Sequence, residues 1–270
     1  MIDRREILRE LGLAPVWRLR ARPPAPGTDH ALMHDATAVH DAAVAEHTSV
    51  VPINEALLPA DERLRRIAAL EWRDFAPDVT ACTACSLCRT RNKAVPGVGD
   101  VRAQWLFVGE APGAEEDAKG EPFVGQAGRL LDNMLAALGM KRGENVYIAN
   151  VLKCRPPGNR TPEPLEVESC RPYLDRQIEL IRPSLIIALG KSAATTLLNV
   201  DATIASLRGR LHRYHGVPLL VTYHPAYLLR NLPDKAKAWE DLCLARATMQ
   251  RMHAEADQRQ GLQTELPDPN

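Results

Sequence analysis

The chain has 270 residues, and its 34 Lys and Arg balance its 34 Asp and Glu, so a uniformly basic coat for indiscriminate nucleic-acid binding is excluded while local patches stay open. No apolar run reaches the ~18 residues of a transmembrane helix, and the start, MIDRREILRE, lacks the basic-then-apolar order of a secretory signal, so a cytoplasmic location is expected. In that compartment structural disulfides are rare, and the six Cys need another explanation.

The charge is unevenly spread. Residues 1–80 carry 10 basic and 13 acidic side chains, whereas residues 81–257 carry 23 and 19. Only the second stretch leans toward an anionic partner. Within it, the segment Ala202–Pro233 holds no Asp or Glu but four Arg and three His, a pattern that suits a surface facing phosphates.

In chain order, Ile7, Leu8 and Leu11 have helical spacing over 4–13, and residues 1–21 are read as an N-terminal helical segment. Residues 22–60 are rich in Ala, Pro, His, Asp and Thr without periodicity and are read as a flexible linker. A helix is expected over 61–73, with Asp61 and Glu62 at its positive end. Four short apolar runs bounded by Gly, Pro or charge predict buried strands: Trp105–Gly109, Val146–Val151, Ser184–Gly190 and Pro218–Tyr223. Helical patterns at 126–139, 163–182 and 191–199 separate them, and a last helix is expected over 234–256. Strands alternating with helices imply an α/β fold, a three-layer α/β/α with a central four-stranded, mostly parallel sheet. The folded domain is placed at 61–257, followed by a disordered tail at 258–270. In such sheets ligands bind beyond the carboxyl ends of the strands.

Three polar motifs fall there. Gly109-Glu110-Ala111-Pro112-Gly113 follows the first strand, and its loop carries Phe123, one of three Phe in the chain. Glu110 is placed to orient water or stabilise a cation, and Phe123 to stack on a flat ring, although a plain strand–helix connection plugged by Phe123 accounts for the pattern equally well. Asn150 ends the second strand, and its amide matches an imide edge, where a C=O and an N–H lie side by side. Taken singly it is more simply a turn cap. His224 opens HPAYLLR after the fourth strand and can donate to a developing anion. Taken singly it is more simply a core His. Tyr227, Leu228 and Leu229 offer an apolar wedge, and Arg230 a phosphate contact.

The cysteines are the most informative residues. Cys82 and Cys85 form a C-x2-C pair, Cys88 lies three further on, and Cys154 and Cys170 follow with irregular spacing. Four thiolates hold zinc or an iron–sulfur cluster. With one knuckle instead of two, the spacing favours [4Fe–4S] without deciding it, and Cys88 competes with Cys85 as a ligand. Cys243 reads as a small buried apolar residue.

Together these motifs resemble the family-4, iron–sulfur branch of the uracil-DNA glycosylases. The matching segments are CTAC at 82–85, GEAPG with EED at 109–117, EPFVGQAGRLL at 121–131, YIANVLKCRPPGNRTP at 147–162, Cys170, and HPAYLLR at 224–230. The resemblance covers about residues 78–250. It implies a monomeric enzyme that flips uracil out of single- or double-stranded DNA and hydrolyses its N-glycosidic bond, initiating base-excision repair. Cys82, Cys85, Cys154 and Cys170 would ligate a structural [4Fe–4S] cluster. Gly109, Glu110 and Ala111 would line the uracil pocket, Phe123 would stack on the base, Asn150 would read its imide edge, and His224 would bond the carbonyl that gains charge. Glu110 would position the attacking water, with Glu116 in the 114–117 loop as a wall against the thymine methyl. Tyr227, Leu228 and Arg230 would contact DNA, helped by Arg208, Arg210 and Arg213. Rival expectations are an iron–sulfur DNA-binding or redox protein without glycosylase activity, a zinc-stabilised module, and a glycosylase of different base specificity. The N-terminal helix offers a site for a protein partner.

Overall fold

A computed structural model describes residues 58–264, and the helix expected at 4–13 and most of the linker lie outside them. The first described elements are α1 (Leu58–Ala68) and α2 (Trp72–Ala81). The single helix expected over 61–73 is therefore two. The break is stabilised from outside, because the Arg176 guanidinium donates to the Leu70 carbonyl from Nε at 2.9 Å and from Nη2 at 2.7 Å. That carbonyl needs no helical partner. A short 3-10 turn, Ser86–Arg89, follows the C-x2-C pair.

Among the described residues the sheet has six strands: β1 (Val98–Gly99), β2 (Trp105–Gly109), β3 (Val146–Asn150), β4 (Leu185–Leu189), β5 (His212–Tyr214) and β6 (Val217–Thr222). Their order is β1-β3-β2-β4-β6-β5. The four central strands are the expected ones and run parallel. The two edge strands, of two and three residues, are antiparallel and too short to give an alternating pattern. The fold class stands, with six strands in place of four.

The central strands are buried along their whole length because both faces are covered. Side chains alternate between the faces. Leu106, Val108, Ala149, Ile186, Ala188 and Val221 pack with α5 (Pro164–Ile181) and α6 (Lys191–Leu198). Phe107, Val146, Ile148, Ile187, Leu189 and Leu220 pack with α4 (Gln126–Ala137) and with α9 (Asp234–Thr264), the last described helix. That helix runs past the expected 256 boundary to Thr264. No helix among the described residues is long and apolar enough to cross a membrane.

Three short helices complete the fold: α3 (Ala114–Lys119), α7 (Ile204–Leu207) and α8 (Pro225–Arg230). The 114–117 segment, expected as a loop, is thus the first turn of α3. Its Glu115, Glu116 and Asp117 sit where the helix N-terminus favours negative charge. The Glu116 carboxylate accepts the Gly113 N–H at 3.0 Å, which ties off the helix start. Strand β2 lies between β3 and β4, and the chain leaves the carboxyl ends of β2, β3, β4 and β6 on one rim of the sheet.

Candidate active site

That rim carries a cleft of about 460 Å³. Glu110 and Ala111 reach it from the end of β2, Asn150 from the end of β3, and His224 from the turn after β6. Phe123, Glu116, Tyr227 and Arg230 also line it. Residues spaced over more than a hundred positions converge here because parallel strands all deliver their loops to the same edge.

Gly109 does not line the cleft but decides its floor. A Cβ there would lie 2.4 Å from Asn150 Oδ1 and 2.6 Å from Phe123 Cζ, so only the missing side chain lets the amide and the ring meet. Asn150 is 2 % exposed, and its Oδ1 is buried without a hydrogen-bond partner. Buried acceptors are nearly always satisfied, so this one asks for a donor from a ligand. Phe123 sits at φ +55°, an uncommon conformation for an aromatic residue, and its ring stacks against the His224 imidazole at 5.4 Å with 30° between planes.

The Phe123 loop is held from two sides. Arg142 donates to the Pro122 and Phe123 carbonyls at 2.9 and 2.8 Å while pairing with Asp132. Glu116 accepts the Val124 and Gly125 N–H groups at 3.0 and 3.3 Å in addition to that of Gly113.

His224 is the N-cap of α8, and its Nδ1 accepts the Ala226 N–H at 3.1 Å. A nitrogen that accepts cannot carry the proton, so in the neutral ring Nε2 is the donor. Burial, reinforced by the nearby Arg230 charge and opposed by Glu116, lowers the His224 pKa to about 4. The imidazole is therefore neutral at ordinary pH. Gly190, at φ +94°, permits this approach, because a Cβ on it would lie 2.9 Å from the His224 Cβ. Glu110 is the half-buried carboxylate of the group. Burial raises its pKa, with a hydrogen bond to Ser192 opposing.

Three expected DNA contacts are corrected. Leu228 is 1 % exposed and packs with Met134, Leu242 and Tyr223, so it is core and not a wedge, whereas the adjacent Leu229 is exposed. Arg208 is bound to Asp241 at 3.0 Å and to Glu240, and serves the α9 contact. Arg213 pairs with Pro218 at the start of β6, the end of the sheet away from the cleft. Tyr227 lines the cleft with its hydroxyl donated to Asp234 at 2.6 Å.

Pro156, Asn159, Arg160 and Thr161 also form part of the cleft wall, and the sequence assigns them no role. Their signal was the RPPGNRTP segment itself. Glu166 fixes Arg160 through bonds of 2.9 and 2.6 Å, and Asn159 takes φ +56°. Arg142 left no sequence signal, being a lone Arg in a turn.

Cys82, Cys85, Cys88, Cys154 and Cys170 line one small second cavity. None of them is in a disulfide. Among the described residues no three Cys, His, Asp or Glu are gathered closely enough to hold a single metal ion. Nitrogen donors face the sulfurs. Arg91 donates to Cys154 Sγ at 2.9 Å, the Lys153 backbone N–H to Cys170 Sγ at 3.2 Å, and Arg63 reaches Cys82 Sγ at 3.8 Å. Soft sulfur ligands, cationic neighbours and N–H donors fit an anionic iron–sulfur cluster.

The two cavities are neighbours in the chain. The wall segment 155–162 leaves Cys154 and enters the helix that carries Cys170. Asp117, on α3 beside the cleft, accepts the Asn92 N–H at 2.9 Å and its amide at 2.6 Å, which ties in the loop that follows Cys88.

The family model of the uracil DNA glycosylase superfamily matches residues 96–243. A type-4 uracil-DNA glycosylase of Archaeoglobus fulgidus is 48% identical over 164 residues, which cover 58% of this chain and 82% of that protein. Type-4 uracil-DNA glycosylases of Saccharolobus solfataricus and Pyrobaculum aerophilum are each 45% identical, over 62% and 60% of this chain and 81% and 87% of theirs. The rim that gathers Glu110, Phe123, Asn150 and His224 lies within the matched span, and the chain belongs to the uracil DNA glycosylase superfamily.

Proposed function

We infer that the cleft receives a uracil extruded from DNA and that the protein hydrolyses its bond to deoxyribose, leaving an abasic site. The observation that carries this reading is the buried, unpartnered Asn150 Oδ1 set against the Phe123 ring. A flat ring stacked on Phe123 would present its edge to the amide. Uracil offers an N–H to Oδ1 and a neighbouring carbonyl to the amide NH2, whereas cytosine has an acceptor and a donor in those places and would leave two mismatched pairs in a buried site. A site of this kind rejects such an analogue strongly. Glu116, fixed by three backbone N–H groups, stands as the wall that refuses a C5 methyl.

The target bond is out of reach inside a stacked duplex, so the base flips at a cost of a few kcal/mol. Arg230 at the cleft mouth binds the phosphate backbone, and Leu229 supplies apolar surface beside it. As the glycosidic bond stretches, the sugar takes on oxocarbenium character and the leaving uracil takes on negative charge. His224 donates from Nε2 to the carbonyl oxygen that gains this charge. A neutral donor suits the task, since its preset N–H meets the developing charge without a cation having to be buried in the ground state. The Glu110 carboxylate orients water toward the sugar carbon.

Cys82, Cys85, Cys154 and Cys170 would hold a [4Fe–4S] cluster, which would cross-link the segment after α2, the segment after β3 and α5. Through it Cys154 and Cys170, which flank the 155–162 segment in the chain, would help to hold that part of the cleft lining in place.

The test is release of free base from oligonucleotides carrying uracil, hypoxanthine or a thymine mismatch. Uracil release, lost together in Asn150→Ala and His224→Ala, is expected. Iron-containing protein that binds DNA and frees no base would reject the assignment in favour of a binding or redox role.

A further inference from the structure

Lys153 is 1 % exposed, one of the largest fully buried side chains of the protein. Its ammonium donates to the Asn150 carbonyl at 2.8 Å and to Gln177 Oε1. Both acceptors are neutral, and no carboxylate lies within ion-pair distance of it among the described residues. A buried charge without a counter-charge is strongly unfavourable, and proteins pair such groups or place them beside a metal centre. Lys153 lines the cysteine cavity, its own backbone N–H bonds Cys170 Sγ, and its neighbour in the chain is Cys154. Thiolates bound to iron would supply the missing negative charge.

The other end of the side chain's reach is the base-reading strand. Asn150 has its carbonyl held by Lys153 and its amide oxygen buried beside Gly109, where the Phe123 ring also arrives. Gln177 is 0 % exposed and donates to the Pro96 carbonyl at 2.7 Å and to the Tyr147 hydroxyl at 3.2 Å, so the ammonium is anchored to a rigid frame.

We propose that Lys153 is a positioning residue that joins the two sites: its ammonium neutralises part of the cluster's charge and, through the same buried contact, fixes the Asn150 backbone that aims the uracil-reading amide. The inference rests on the cofactor and on the role of Asn150 proposed above.

The experiment compares wild type with Lys153→Met, both purified without air and loaded with iron. Protein-film voltammetry reads the midpoint potential of the cluster, and inhibition of excision by free uracil reads the amide. Loss of a buried positive charge should move the potential to a more negative value, and loss of the carbonyl anchor should weaken free-uracil inhibition by about tenfold. An unchanged potential in folded, iron-loaded Lys153→Met overturns the proposal. Where that variant is not recovered folded, Gln177→Glu decides. It keeps the acceptor and sets a carboxylate against the ammonium, and an unchanged potential overturns the proposal equally. Wild-type protein that holds no iron refutes the cofactor reading itself, and the inference with it. Iron-loaded wild type with unresponsive variants refutes the inference alone.

Discussion

Gly109 and Asn150 touch across the floor of the cleft with no room for one further carbon between them: a Cβ on Gly109 would stand 2.4 Å from the Asn150 oxygen. Either the amide or the strand end must yield to a methyl group there. Gly109→Ala should therefore lower kcat/KM for uracil excision by about 10²-fold, the penalty for displacing a positioned group by roughly 1 Å. Overpacking should also destabilise the protein by about 1–3 kcal/mol. Single-turnover excision set beside thermal unfolding separates the two effects. Full activity in the alanine variant would show that Asn150 is not held where its function requires.

Glu110 makes a pH prediction. Burial raises its pKa, with Ser192 opposing, so its carboxylate is protonated at a higher pH than an ordinary Glu. Water orientation needs the ionised form. The acid limb of the kcat profile should lie above the usual carboxylate range, with activity falling as pH drops through it. Glu110→Gln should lower kcat with little change in KM and abolish that limb. A limb that persists in the glutamine variant assigns it to another group.

His224 behaves in the opposite sense. Its pKa is lowered to about 4, so it does not titrate between pH 5.5 and 8.5. His224→Ala should lose about 10²–10³-fold in excision rate across that range, as removal of a single donor to a developing anion does. A stability effect accompanies this. The unfolded chain takes up a proton at His224 near pH 6.5 and the folded protein does not, so stability falls as pH drops from about 6.5 toward 4. Denaturant melts over that interval should show a shallower fall in His224→Asn than in wild type.

The arginines divide by their partners. Arg230 lines the cleft mouth, whereas Arg208 is committed to Asp241 and Glu240. Arg230→Ala should weaken DNA binding and reduce the slope of log K against log salt by about 1. Arg208→Ala should leave that slope unchanged and lower the unfolding temperature, because Asp241 would be left buried and unpaired. Equal salt slopes for wild type and Arg230→Ala would remove Arg230 from the phosphate contacts.

The central sheet was legible because its strands are buried on both faces and so read as unbroken apolar runs. Val98–Gly99 and His212–Tyr214 were not legible, since two or three residues carry no periodicity. The same limit explains α3. Glu116 is expected along the chain only as a loop residue walling off a methyl, and its work of tying Gly113, Val124 and Gly125 appears only when the loop folds back over it. Leu228 and Leu229 are indistinguishable in the string HPAYLLR. The register of α8 against Met134 and Leu242 sends the first inward and leaves the second outside.

From residue order alone came the parallel α/β architecture, the rim on which chemistry would gather, and the residue types present there, because those follow from local periodicity and from the rule that strand ends deliver loops to one edge. Which groups actually meet was a matter of packing. The contact of Gly109 with Asn150, the bracing of Phe123 by Arg142 and the hydrogen bond of Lys153 to Gln177 each join positions well separated in the chain. No local pattern records such contacts, since they exist only once the layers close and each side chain is left with a single place to go.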